Sequence, residues 1–439
     1  MNDLQNINDA NQYKSSLDGK ILAFILFLYL LVFQSPLESV WAPFSYIDEL
    51  ISLIGIIYVF GELVFRRKFE IPRYMIFAVL CLAVFVASGL IGNILYRYQP
   101  LKSVVIDLYT NLKFFFAIVT GFTLFRTIPW GKLQYHGNLH ARIITGFLFV
   151  VFLLDRVFVL YPTGIRHGIR SASLFYSSPT YLAGAIAFLL CLMTIFFQKL
   201  NYPFMAMNLI MIVFTMRSKA IASAMVIIAL FAFLVLLKRE MKLWHVLVLG
   251  SVAVVAAWPQ IYYYFIHLSG WSAHSVLLLT SFKIMKDFFP IGTGFGTYAS
   301  SEAEKHYSPV YRKYGFHHNW ELRDVKDTEN TKRLIKKFHI DPKDPWGGPF
   351  LNDSFWPIIF GQTGVIGTIA YISALGILVK KSWELQKKHV YAFIAVMYSW
   401  IHLLICSMAE PAFNNATAIP LAIIMGIALC AMETEKFEK

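Results

Sequence analysis

The chain has 439 residues, of which 57% are hydrophobic, 16% aromatic and only 15% charged, with a mean hydropathy of +0.58. A soluble domain carries about a quarter charged residues, so this balance excludes an ordinary water-soluble globular chain. The formal charge of +13 is scattered through short connectors between apolar blocks, so no nucleic-acid partner is expected.

A bilayer span needs about 20 mostly apolar residues. After a polar tail over 1–20, such blocks run over 21–40, 44–65, 74–96, 109–128, 143–161, 179–198, 202–216, 220–237, 243–266, 354–379, 390–409 and 415–432, the seventh being short. They predict an all-α polytopic membrane protein of about twelve spans. Spans 1–9 form a bundle over 21–266, an extracytoplasmic loop domain covers 267–352, and spans 10–12 lie within 353–432, before a tail over 433–439. The first block lacks a small-residue cleavage site and reads as a span, not a signal peptide. Cys81, Cys191, Cys406 and Cys430 lie in apolar blocks without CxxC spacing and read as small buried apolar residues.

Lys and Arg in short loops set orientation. With both termini cytoplasmic, the inner connectors carry Arg66, Arg67, Lys68 and Arg73, then Arg126, Lys132 and Arg142, then Lys199, then Lys238, Arg239 and Lys242, then Lys380, Lys381, Lys387 and Lys388. The same assignment puts three informative segments outside: the loop from Arg156 to Ser178, the turn at Arg217 to Lys219, and the segment from about His267 to Asn352. Basic residues there run against the topological preference and need another reason. Arg217 and Lys219 sit in a break between spans, where they either snorkel to headgroups or hold an anionic substrate. Arg166 and Arg170 are four apart and, if helical, present one basic face. Arginine suits bidentate phosphate recognition.

The stretch "PIGTGFGTY" (Pro290 to Tyr298) raises the question of a nucleotide site. Its glycines make GxGxG, not GxGxxG. No strand precedes them and no Lys-Ser/Thr follows, so it is not a nucleotide loop. A tight turn after the amphipathic stretch "SVLLLTSFKIMKDFF" is the expected role, with backbone contact to a pyrophosphate as the alternative. A helix is expected around Asp327 to Phe338. There is no DxD, no HExxH and no carboxylate pair spaced for a cation clamp, so neither a metal nor a cofactor is expected.

The motifs "IGTGFGTYAS", "YSPVYRKYGF" and "LNDSFWPIIFGQTGVIG", with the Arg217 break and the Arg166–Arg170 loop, together resemble the Wzy-type polysaccharide polymerases of the O-antigen polymerase/ligase superfamily. The resemblance implies a multi-pass protein of the bacterial cytoplasmic membrane, with a polyprenyl-pyrophosphate-linked oligosaccharide as donor and acceptor. A chain-length regulator and a flippase of the same pathway are implied partners. It also implies a glycosyltransferase that polymerises lipid-linked repeat units at the outer face into O-antigen, capsule or exopolysaccharide. Outer arginines hold the pyrophosphate in that picture, which assigns Arg166, Arg170, Arg217 and Lys219 here. Ligase-type relatives have a His-Asn pair about eleven residues before the glycine matching Gly364, and here Asp353 and Ser354 stand there. Asp353 is then either the general base for the acceptor hydroxyl or the N-cap of the following span. Glu410 is a second candidate carboxylate, to assist Asp353, bind sugar hydroxyls or pair with one of the arginines. Arg312, His317 and His318 are candidate substrate contacts, against plain surface positions. An O-antigen ligase-type transferase and a flippase or transporter are the rival readings; the latter lacks the internal repeat often seen in transporters.

Overall fold

The computed structural model describes residues 18–61, 71–166, 168–242, 244–245, 258, 262, 266, 273–306, 308–314, 352 and 354–433. It is a helical bundle, as the long apolar runs require, because a chain in lipid must satisfy its own backbone hydrogen bonds. In order come α1 (Gly19–Val32), α2 (Gln34–Val40), α3 (Ile47–Gly61), α4 (Arg73–Tyr96), α5 (Leu101–Leu124) and α6 (Trp130–Phe158). A two-residue hairpin follows, β1 (Ile165–Arg166) and β2 (Ile169–Arg170). Then come α7 (Pro179–Ile195), α8 (Tyr202–Phe214), α9 (Ser218–Phe231), α10 (Ala273–Asp287), α11 (Ser301–Lys305) and α12 (Pro309–Lys313). The chain closes with α13 (Phe355–Trp383), α14 (Leu385–Lys388), α15 (Val390–Ser407) and α16 (Ala418–Glu433).

Six helices among the described residues are long and apolar enough to cross a membrane, and the pair α1 and α2, bent by 71°, makes a seventh if it is one span. The six cover Ala42–Gly61, Arg73–Tyr96, Leu101–Leu124, Ser218–Leu236, Phe355–Lys388 and Val390–Ser407. Pro179–Ile195, Lys199–Phe214 and Ala418–Glu433 are apolar but shorter. The expected fifth span lies in α6, a 29-residue helix whose apolar half follows Arg142 and carries Asp155 and Arg156. Most of 243–266 lies outside the described residues, as does the helix expected near Asp327 to Phe338.

The two ends of the bundle are held by different contacts. At one end Lys20 donates to Thr127 at 2.6 Å, Asn138 to the Phe196 carbonyl at 2.6 Å, and Arg142 to Gln198 at 2.7 Å, while Lys381 pairs with Glu433 at 3.3 Å. These connectors are the ones whose basic residues the sequence assigns to one side. At the other end the Ala172 amide donates to Phe214 at 2.7 Å, Tyr176 to Val32 at 3.1 Å, and Lys219 to the Ala409 carbonyl at 3.2 Å. Asn414 there donates to Asn111 at 3.0 Å. Each set of contacts joins connectors that the basic residues assign to the same side.

The glycine loop is a packing element. It passes between α4, α5 and α13, and a Cβ on Gly292 would overlap the Gly364 amide. Gly292, Gly294, Gly296 and Gly364 all have positive φ, which glycine alone adopts without strain. Gly364 interrupts α13 with φ 60° and ψ −158°, and that opening receives the loop. The amides of residues 292 to 296 are all used internally. Gly292 donates to Phe288 at 3.0 Å, Thr293 to Gly361 at 3.1 Å and Gly294 to Gln362 at 2.8 Å. Phe295 donates to Asn93 at 2.8 Å and Gly296 to Asp107 at 2.9 Å. None is left for a pyrophosphate, which removes that alternative. The tight turn itself stands, but it is buried in the bundle. α10 packs on α13 and forms with the loop, α11 and α12 a second apolar cluster around Leu277, Ile284, Tyr298, Val310 and Tyr311.

Candidate functional site

The site is assembled where α6, α8 and α15 end. α6 ends at a left-handed Val159, and Gly168 (φ 77°) supplies the turn of the hairpin. Ile165 pairs with Arg170 and Arg166 with Ile169, so the two arginines lie on opposite faces of the hairpin. The shared basic face expected of a helix does not form.

Asp155, fully buried in the last turn of α6, clasps the hairpin. It receives Arg156 at 2.7 Å, Arg170 at 3.1 Å and the Tyr161 amide at 2.8 Å. Arg170 also donates to the carbonyls of Tyr161 and Asp155. Arg156 donates to the Arg170 carbonyl at 2.6 Å and lies over the rings of Phe152 and Phe214. Both arginines are therefore committed to holding the loop. The Arg166 side chain makes no hydrogen bond or ion pair to the described residues; it is exposed and lines a cavity of about 380 Å³ together with Tyr161, Ser173, Pro179 and Arg217.

Arg217 lies in the non-helical break after α8, just behind a left-handed Met216, with its amide 3.4 Å from the Thr215 hydroxyl. It occupies the N-cap of α9, where it offers no acceptor to the helix start. A cation at a helix N-terminus opposes the macrodipole, so this placement is unfavourable without an anion. Its buried Nε has no partner among the described residues. Burial, and then the like charge of Arg166, lower its pKa, against an opposing effect of Glu410. The start of α7, at Pro179, lines the same cavity. Two arginines and two helix N-termini thus converge on one volume, an arrangement suited to an anion.

Arg217 also lines a second, narrower cavity of about 60 Å³ with Lys219, His402, Glu410 and Thr417. Lys219 stands 3.6 Å from Glu410, so this segment pairs a cation with a carboxylate at the foot of the arginine cavity. His402, on α15, is buried with Nδ1 2.8 Å from the Ser223 hydroxyl. Sequence reasoning passed over it, although an ionisable residue inside an apolar span is itself a signal. Asp155, Asp48 and Lys113 were missed for the same reason: each sits within or beside an apolar run that masks it.

The other candidates are placed as follows. Arg312 is exposed on α12 and lines none of these cavities. His317, His318 and Asp353 lie outside the described residues. The N-cap of α13 is Ser354, whose side chain makes no capping bond, so the cap position expected of Asp353 belongs to its neighbour. Ser354 instead contacts His274 Nδ1 at 3.1 Å.

No protein-family model, curated protein or solved structure matches the chain.

Proposed function

We propose that this protein is a membrane glycosyltransferase that polymerises polyprenyl-pyrophosphate-linked oligosaccharide repeats. The observation that carries the reading is the pairing of Arg166 with Arg217 along one cavity, where the buried Nε of Arg217 lacks a partner among the described residues. A diphosphate ester is the ligand that such a doubly cationic, helix-capped volume favours. Arg166 and Arg217 would grip the donor pyrophosphate, with Lys219 at its edge. Arg170 supports the loop from behind.

In the reaction the acceptor hydroxyl oxygen bonds to the anomeric carbon of the donor glycan. The bond from that carbon to the pyrophosphate oxygen breaks, and the leaving group departs with the electron pair. Arginines lower the barrier by stabilising the charge that builds on it. The hydroxyl proton passes to a carboxylate, Asp353 as the sequence resemblance implies, with Glu410 beside the cavity as its assistant.

The topology that goes with this reading counts the shorter apolar helices, α6 and residues 243–266 as further spans, about twelve in all. Both termini are then cytoplasmic, the arginine cavity faces outward, and residues 267–352 connect on the outer side, except that the glycine loop, expected as part of an outer domain, packs into the bundle against α4, α5 and α13. The distribution of basic connectors at the opposite end supports that orientation.

The test is binding of radiolabelled polyprenyl pyrophosphate to the purified protein in nanodiscs. Retention of the pyrophosphate lipid, and its weakening at least tenfold in Arg217→Ala, is expected. Equal retention by wild type and Arg217→Ala would refute the assignment.

A further inference from the structure

A third cavity, of about 210 Å³, adjoins the first two and is chemically unlike them. Its polar lining includes Gln34, Glu38, Glu49, Lys113, Asn414 and Asn415. Lys113 is 4% exposed and is held by Asp48 at 2.7 Å and Glu49 at 3.1 Å. Gln34 donates to Asp48 at 2.6 Å. This network leaves Glu49 Oε2 buried with no donor among the described residues reaching it, the Asp48 carboxyl being its polar neighbour. Asn414 is in the same position: its amide nitrogen donates to Asn111 at 3.0 Å, while its Oδ1 is buried and unpartnered. Two orphan acceptors therefore line one volume. A buried acceptor left unsatisfied is costly, so the fitting occupant is a donor of hydrogen bonds.

Charge narrows the choice. Asp48, Glu49 and Glu38 face a single buried lysine, so the cavity is net negative and would repel a pyrophosphate. Among the described residues, no three His, Cys, Asp or Glu side chains are grouped to hold a metal ion. A neutral polyhydroxyl compound supplies donors without charge, and Tyr176 and Tyr181 add ring surface to the same lining. Adjacency gives the direction. Gly184 and Thr417 line both this cavity and the Lys219–Glu410 cavity, and a Cβ on Gly184 would come within 2.5 Å of the Thr417 methyl. Thr417 fills the space a side chain at Gly184 would take, so the two residues form a thin shared wall between the cavities.

We infer that the cavity around Glu49, Lys113 and Asn414 is a sugar subsite, which binds the terminal residue of the acceptor glycan and presents a hydroxyl towards Glu410 and the arginine cavity. That assignment to the acceptor rests on the polymerase reading; the binding of a neutral sugar does not.

The test uses the purified full chain in nanodiscs on a panel of immobilised neutral mono- to trisaccharides, carrying neither lipid nor phosphate. Wild type should retain at least one glycan, Arg217→Ala should retain the same one, and Glu49→Gln and Asn414→Ala should each weaken it roughly tenfold. Thermal melts of both variants accompany the panel; Asn414→Ala, which also removes the donor to Asn111, should lower the midpoint slightly while staying folded at the assay temperature, so that the glycan loss exceeds any unfolded fraction. Retention of no glycan by wild type, or unaltered retention by both variants, would overturn the subsite. If glycan binding follows these expectations but the wild type never extends a lipid-linked repeat, the sugar subsite stands and the polymerase reading fails. If the wild type extends repeats while Asn414→Ala leaves the acceptor KM unchanged, the polymerase stands and the subsite falls.

Discussion

The guanidinium of Arg170 is bound to the buried carboxylate of Asp155 at 3.1 Å, and that pairing separates the two hairpin arginines by role. Arg170 faces the bundle and ties the hairpin to α6. Arg166, on the opposite face, lines the cavity with Arg217.

The two arginines should therefore fail differently when removed. Arg166→Ala and Arg217→Ala should each weaken pyrophosphate-lipid binding about 10- to 100-fold, the worth of a charge-assisted hydrogen bond, with little change in thermal midpoint. Arg170→Ala should lower the midpoint first. Parallel binding and melting curves on the three variants distinguish these outcomes.

Asp155→Ala removes the acceptor that Arg156, Arg170 and the Tyr161 amide share. A loss of about 2 kcal/mol of stability is expected. Proteolysis within the 159–178 loop should rise in step, since Asp155 anchors the hairpin; an unchanged cleavage rate would show that the clasp is not what holds it.

Much of this arrangement was legible in the sequence, and for identifiable reasons. Long apolar runs specify helices, and the basic connectors marked which ends meet, as the contacts of Lys20, Arg142 and Lys381 show. Arg217 was legible because a charge in a break between apolar spans has few structural uses. The role of Arg170 was not. Whether an arginine meets a ligand or a carboxylate depends on which residue the fold sets opposite it, and Asp155 lay at the end of an apolar run fifteen positions earlier. Spacing misled as well: four residues apart means one face on a helix but opposite faces on this hairpin. The buried partners Asp48 and Lys113 are 65 positions apart, and no local pattern connects them.

That pair yields a stability prediction. Asp48 and Lys113 are both almost wholly buried. Removing Lys113 leaves Asp48 and its neighbour Glu49 without a cation, and breaking such a buried pair from one side costs about 3–5 kcal/mol. Lys113→Met should lower the folded yield more than Asp48→Asn, which leaves Lys113 paired with Glu49, and the double variant should recover part of the Lys113→Met loss. A double variant no better than either single one would mean the two charges act independently.

The glycine loop gives the sharpest structural forecast. Gly292→Ala puts a Cβ onto the Gly364 amide at a backbone angle that alanine resists, and about 4 kcal/mol of destabilisation is expected. Gly146→Ala, where the nearest neighbour is 4.0 Å away, should be nearly neutral. Fluorescence-detected size exclusion across a temperature series compares them. Because every amide from residue 292 to 296 is used within the protein, any folded loop variant should bind the pyrophosphate lipid as wild type does.

The most direct measurement supplies the purified protein in nanodiscs with a polyprenyl-pyrophosphate-linked repeat unit and no added nucleotide, and resolves the products on a gel beside those of Arg217→Ala. A ladder spaced by one repeat unit for the wild type, and its collapse in the variant at equal protein level, is the predicted result. No ladder from the matched lipid-linked repeat, or an equal ladder from Arg217→Ala, would contradict the account.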